Sequence, residues 1–256
     1  MIRRLLCLLM IGWLAVPAVH AEEPQRLSEC RTVEQVEAML LYPDEDISPV
    51  AAEKGLIRYI SQDTNREPGF CAAYWLGGEP GSEFDLTLEA DPYKNPYLYY
   101  ARNMCTRAVY SMALSCLGVD LTPGAMTALL EKRDISAPYD EVTGKLPEIE
   151  RVQFPAFVFQ NMYEAYQSDP DHYSPIYLYI RRPNETTHAL LVVAQREDGR
   201  FIVVDPKYHE IDGEPVHVYT IRLNPPYRYI VASDFQLEQA QSTVLGCCQW
   251  RLIDEE

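Results

Sequence analysis

Five short runs rich in β-branched and aromatic residues follow one another from Pro175 onward, each set off by turn signals: Pro175–Arg181 (PIYLYIR), His188–Val193 (HALLVV), Arg200–Asp205 (RFIVVD), His217–Leu223 and Tyr227–Ala232. Strands this short and this closely connected pair with their sequence neighbours, which predicts a mostly antiparallel sheet. Upstream the periodicity is helical. Thr32 and Gln35 form a capping box for a helix over Cys30–Leu41, with Val33, Val36, Met39 and Leu40 on one face. Ser48-Pro49 predicts a second helix running to Ile60, since proline is tolerated at the first helical position. Ser61–Pro96 is turn-rich. A helix begins at Asn103 with Cys105, Ala108, Val109, Met112 and Cys116 on its apolar stripe, and Gly118 ends it. Thr122-Pro123 caps the next, to Glu131, and Phe157–Gln167 predicts one more. Helices first and sheet afterwards predict an α+β fold.

The N-terminus constrains the compartment. Arg3 and Arg4 precede an apolar run, Leu5–Val16, which Pro17 breaks, and Val19-His20-Ala21 offers a small-x-small cleavage site before Glu22. The expectation is a bacterial signal peptide over 1–21 and an exported protein, periplasmic or extracellular. The apolar run is too short to span a membrane, and no membrane insertion is expected after cleavage. Residues 22–256 read as a single domain, with 22–100 an N-terminal elaboration and 101–256 the core. Without Arg3 and Arg4 the 22 basic residues become 20 against 38 acidic ones, a formal −18 for the mature chain. Such a surface repels phosphate backbones and anionic headgroups, so no nucleic acid partner is expected.

Six cysteines remain after cleavage: Cys30, Cys71, Cys105, Cys116, Cys247 and Cys248. In an exported chain disulfides are the default. Cys105 and Cys116 cannot pair within one helix, because that spacing separates them by roughly 16 Å. A bond between adjacent Cys247 and Cys248 is strained. Cys30 and Cys71 are therefore partners for each other or for the C-terminal pair. Cys116 reads as a core residue, and Cys105 is left without a structural task.

The position of Cys105 is suited to reactivity. A thiol attacks as its thiolate, which the N–H groups and dipole of a helix start stabilise and a nearby imidazolium stabilises further. Of His172, His188, His209 and His217, His188 is best placed, because it opens a strand after the loop Pro183–Thr187. The next strand ends at Asp205-Pro206. A connection over Ala194–Gly199 puts His188 opposite Asp205, whose carboxylate would orient the ring. A tight turn centred on Asp198-Gly199 instead puts it opposite His209. His172, His209 and His217 lack the paired spacings of a zinc site and read as surface residues. Asp44-Glu45-Asp46 lacks the glycine and closing glutamate of a calcium loop. No metal or cofactor is expected.

A cysteine opening a central helix, a histidine opening a strand and Asp-Pro closing the next strand, in that order, resemble the papain-like cysteine peptidases. The likeness is nearest to the exported relatives of the bacterial double-glycine-leader (bacteriocin-processing) peptidases. It is carried by CTRAVYSMALSCLGVDLT, SPIYLYI and THALLVVAQREDGRFIVVDP, within Asn103–Pro206. The resemblance implies a papain-like fold and a peptide or protein substrate. It also implies Cys105 as nucleophile, His188 as general base and acid, and Asp205 as its orienter. Such enzymes carry a glutamine about six residues before the cysteine to hold the oxyanion. Tyr99 stands there in this chain, so Tyr99 and Asn103 are the candidate donors beside the Cys105 N–H. The expected activity is that of a cysteine peptidase or amidase. The alternatives are a transglutaminase-like acyl transferase and an inactive papain-like domain that binds a peptide or partner protein.

Overall fold

The computed structural model describes residues 24–43, 48–63, 69–76, 104–130, 149–154, 158–234 and 241–253. The expected signal peptide, Asp44-Glu45-Asp46, Tyr99 and Asn103 lie outside the described residues. The chain is α+β, and its main sheet is antiparallel throughout.

All five strand runs form: β4 (Ile176–Arg181), β5 (Thr187–Gln195), β6 (Phe201–Ile211), β7 (Glu214–Asn224) and β8 (Tyr229–Ser233). Two further strands flank them, β3 (Ile149–Phe154) and β9 (Thr243–Leu252). The order is β3-β9-β4-β5-β6-β7-β8, and β8 meets β9 again at Tyr229↔Thr243. Strands β4 to β9 thus curl into a closed ring, with β3 attached outside it on β9.

Both faces of this sheet are buried, which is why β5 reads as an almost unbroken apolar run. Successive side chains on a strand point to opposite faces. Leu190 and Val192 join a cluster with Phe159, Met162, Tyr163 and Tyr166 of a helix over Phe159–Ser168. Ala189, Leu191 and Val193 join the other cluster, with Val109, Met112 and Leu114 of the helix over Cys105–Ser115. In chain order the helices are α1 (Val33–Glu37), α2 (Ala72–Leu76), α3 (Cys105–Ser115), α4 (Pro123–Leu130) and α5 (Phe159–Ser168). The capping box of Thr32 and Gln35 forms as the sequence predicts, and Thr122 Oγ1 accepts the Ala125 N–H at the start of α4.

Helix α3 is buried all round, from Arg107 to Ser115, rather than along one stripe. Its serines make this possible because both are satisfied. Ser111 Oγ donates to Leu121 O and accepts from Arg58 Nη2, while Ser115 Oγ donates to Met112 O and accepts from Arg58 N–H. A buried hydroxyl without such partners would cost about 1–3 kcal/mol. Gly118, at φ +78°, turns the chain away beside Lys54.

Two helix expectations are corrected: the one over Cys30–Leu41 is helical only over Val33–Glu37, and Leu40–Leu41 is a strand. The helix over 49–60 does not form: Gly55 sits at φ +85°, and Ile57–Arg58 (β2) pairs in parallel with Leu40–Leu41 (β1). Residues Ile57 to Ile60 are buried without interruption beside α3, a demand that an extended segment meets and a one-sided helix does not. No disulfide is formed among the six described cysteines in this structure. Adjacent Cys247 and Cys248 point to opposite faces of β9, the first into the α5 cluster and the second into the α3 cluster. Cys247 meets Met162 Sδ at 3.5 Å, and Cys30 meets Met39 Sδ at 3.6 Å.

Candidate active site

Cys105 is the first residue of α3, partly exposed, and Met104 occupies the N-cap without a side-chain cap. The N–H groups of Arg107 and Ala108 bond to Met104 O. Those of Cys105 and Thr106 precede the first intrahelical donor, as at any helix start. Placing a sulfur there gives it the positive end of the helix dipole.

The connection between β5 and β6 is a turn over Arg196–Arg200, with Gly199 at φ +80° and Gln195↔Phe201 as the last pair. Neither register considered from sequence occurs. Extending the Leu191↔Val204 pairing brings His188 across from Lys207, so Asp205 is its diagonal neighbour. Strand β6 does not stop at Asp205-Pro206 either. Val204 pairs with Val218 and His209 with Val216, so Asp205 to Tyr208 bulge against the single residue His217. A bulge tolerates the missing N–H of Pro206 and re-aims the side chains around it. An N-terminal segment satisfies its backbone: Gln62 N–H donates to Pro206 O at 2.7 Å, and Asp63 Oδ2 accepts from Tyr208 N–H at 2.9 Å.

The bulge delivers Asp205 fully buried and fully bonded. Oδ1 takes His188 Nε2 at 2.7 Å and Lys207 N–H at 2.8 Å. Oδ2 takes His209 Nε2 and Tyr219 O–H, each at 2.9 Å. Tyr59 O–H donates to the Asp205 backbone carbonyl at 2.8 Å. With Nε2 of His188 committed to Asp205, Nδ1 is the ring nitrogen left over, and the Cys105 sulfur is the other group that favours the charged ring.

His188 is only 3% exposed, and burial by itself opposes its charged form. The Asp205 carboxylate and the Cys105 sulfur outweigh that, and its pKa rises to about 9. Burial likewise opposes the charge on Asp205, but the His188 charge and the bonds from both histidines hold it well below the usual carboxylate range. The pair is therefore ionised at neutral pH.

Of the histidines expected at the surface, only His172 is there, half-exposed and bonded to Asp169. His209 belongs to the Asp205 cluster. His217 is 8% exposed, its Nε2 2.5 Å from Tyr42 Oη and its ring packed 4.4 Å from Tyr59 and 4.7 Å from Tyr208, centroid to centroid. Burial pushes its pKa down to about 4. The sequence misled here because β6 and β7 extend well past the apolar runs that announce them. The His209 link had one available signal, its appearance in the alternative register beside His188; Tyr219 and Tyr59 had none. Among the described residues no group of three or more His, Cys, Asp or Glu is placed to hold a metal ion.

Comparison with known proteins finds no matching family model, no significant match to a curated protein and none to a solved structure.

Proposed function

We propose that this chain is an exported thiol acyl-transfer enzyme with a papain-like arrangement, acting as a cysteine peptidase or amidase. The observation that carries the reading is the buried, ionised His188–Asp205 pair, bonded at 2.7 Å, together with Cys105 at a helix start, whose sulfur favours the charged ring. A central helix bearing the cysteine, packed on a curled antiparallel sheet bearing the histidine and aspartate, supports the same reading. The Cys105 thiolate attacks the carbonyl carbon of an amide, and the His188 imidazolium gives its Nδ1 proton to the departing amine. Water then attacks the thioester, losing a proton to His188 as the C–S bond breaks and the Cys105 thiolate and His188 imidazolium are restored. An amine in place of water gives transfer, the transglutaminase-like outcome. Asp205 holds the ring and stabilises its charge without itself taking the proton.

Tyr99, at the position where the resemblance implies a glutamine, favours one rival: a peptide-binding domain without turnover. Incubation with a peptide library, comparing the native protein with Cys105→Ala, separates the two. Cleavage or amine incorporation by the native protein alone supports the enzyme. Equal binding by both forms with turnover by neither supports the rival.

A further inference from the structure

The bulge that aims Asp205 is gripped from outside its own sheet. Strands β6 and β7 stay in register up to Val204↔Val218 and resume at His209↔Val216, so Asp205 to Tyr208 lie where the ladder gives way. Segment 59–63 meets them there. Tyr59 O–H donates to Asp205 O at 2.8 Å, Gln62 N–H donates to Pro206 O at 2.7 Å, and Asp63 Oδ2 accepts the Tyr208 N–H at 2.9 Å. Between the last two contacts the Lys207 N–H turns inward and bonds Asp205 Oδ1 at 2.8 Å, the same oxygen that holds His188. The grip is itself anchored on its far side. Tyr59 N–H bonds Leu41 O at 2.8 Å, Ser61 N–H bonds Gly69 O at 2.9 Å, and Trp75 Nε1–H donates to Ser61 O at 3.2 Å. Ser61 Oγ accepts the Asp63 N–H at 3.0 Å, and Tyr59 and Ser61 are fully buried. A segment that only connected two elements would leave such groups to water.

We propose that segment 59–63 belongs to the machinery of the Cys105 site, with Asp63 and Tyr59 as positioning residues that fix Asp205 against His188 through the bulge backbone. The proposal rests on the thiol acyl-transfer reading above. Without the Asp63 acceptor the Tyr208 N–H loses its bond, and the backbone from Pro206 to Tyr208 is held at one point fewer. The Lys207 N–H and Asp205 Oδ1 then lose their fixed relation, and the 2.7 Å contact to His188 loosens. A loosened carboxylate supports the imidazolium less well, and the Cys105 thiolate beside it becomes less favourable. Tyr59 acts on the same backbone one step earlier, at the Asp205 carbonyl. The N-terminal part of the chain is thus needed for reactivity at Cys105 as well as for packing.

The test is the rate of iodoacetamide alkylation at Cys105, read by peptide mass mapping from mildly acidic to mildly alkaline pH. The native protein is compared with His188→Ala, Asp63→Asn, Asp63→Ala and Tyr59→Phe. Asp63 shares an open cavity with Lys207 and Glu210, so the asparagine variant separates its bond from its charge: the amide oxygen can still accept the Tyr208 N–H. Asp63→Ala should move the profile to higher pH and slow alkylation at mildly acidic pH on the order of tenfold, the lower end of what losing such a support costs. Tyr59→Phe, which keeps the ring and loses only the hydroxyl, should move it the same way by less. Asp63→Asn should follow the native profile. An Asp63→Ala profile that coincides with the native one overturns the proposal. So does an Asp63→Asn profile displaced as far as that of Asp63→Ala, because charge and not the bond would then be responsible. If Asp63→Ala does not fold, Tyr59→Phe decides, and a native profile there overturns the proposal. A merely structural segment would lower the folded fraction without moving the profile of folded Cys105. A native profile indifferent to His188→Ala sinks the acyl-transfer reading itself. One that depends on His188 but not on Asp63 or Tyr59 sinks only this inference.

Discussion

His188 and His217 are both buried, yet one is charged and the other neutral. Both are under a tenth exposed, on strands flanking β6, and both feel Asp205. His188 bonds the carboxylate directly and holds its proton to about pH 9. His217 sits among Tyr42, Tyr59 and Tyr208, which offer hydroxyls and ring faces but no charge, and gives up its proton to about pH 4. Burial alone drives a histidine toward neutrality, and only a directly bonded anion reverses it. One buried position therefore suits proton transfer to a thiol, and the other suits packing.

Removing the anion should give the largest effect. Asp205→Ala leaves His188, His209, Tyr219 and the Lys207 N–H without their common acceptor, and stripping one partner from a buried ion pair costs about 3–5 kcal/mol. Urea denaturation at neutral pH measures this. The variant's Cys105 should also lose any His188-dependent alkylation, because its imidazole is then as neutral as that of His217.

The two histidines should erode stability on opposite sides of their common unfolded pKa of 6.5. His217 is neutral when folded, so as pH falls from 6.5 toward 4 the unfolded chain takes the extra proton and stability declines. At 1.36 kcal/mol per pH unit the loss is at most about 3 kcal/mol. His188 has the reverse sign: its contribution is complete below 6.5 and is lost as pH rises through 9. Denaturation midpoints against pH should peak between these limbs. His217→Gln should flatten the acid limb and leave the alkaline one, and Asp205→Asn should flatten the alkaline limb.

Gly69 probes the support beneath both sites. It lies at φ +87°, and a Cβ there would run into the ring of Tyr59, which packs on His217 and bonds the Asp205 carbonyl. Gly69→Ala should cost about 1–3 kcal/mol in thermal or chemical denaturation, through backbone strain and displacement of that ring. The smallest effect is expected of Tyr42→Phe, which removes one hydrogen bond to His217 Nε2 and should cost about 1 kcal/mol.

The strands around the site were legible because β4 and β5 are apolar on alternating and on both faces, and such runs need no tertiary information to be recognised. The capping box at Thr32 and the cap at Thr122 were legible for the same reason. Strand β9 was not, since its centre, Gly246-Cys247-Cys248-Gln249, suggested a disulfide rather than a strand whose cysteines fill opposite cores. Segment 49–60 carried helix-start signals that lost to Gly55 and to pairing with Leu40–Leu41. At the site, the residue types and chain order singled out Cys105, His188 and Asp205. What holds Asp205 depends on a bulge facing one residue of β7, and no local pattern encodes that.

The most direct measurement is a titration of the imidazole resonances in a ¹⁵N-histidine-labelled sample, with His188 and His217 assigned by His→Gln substitution at each. The account predicts that His188 keeps its proton until about pH 9 while His217 loses its own at about pH 4, on either side of the unperturbed value. A His188 that is neutral at pH 7, or that titrates together with His217, would contradict it and leave Cys105 without a charged partner.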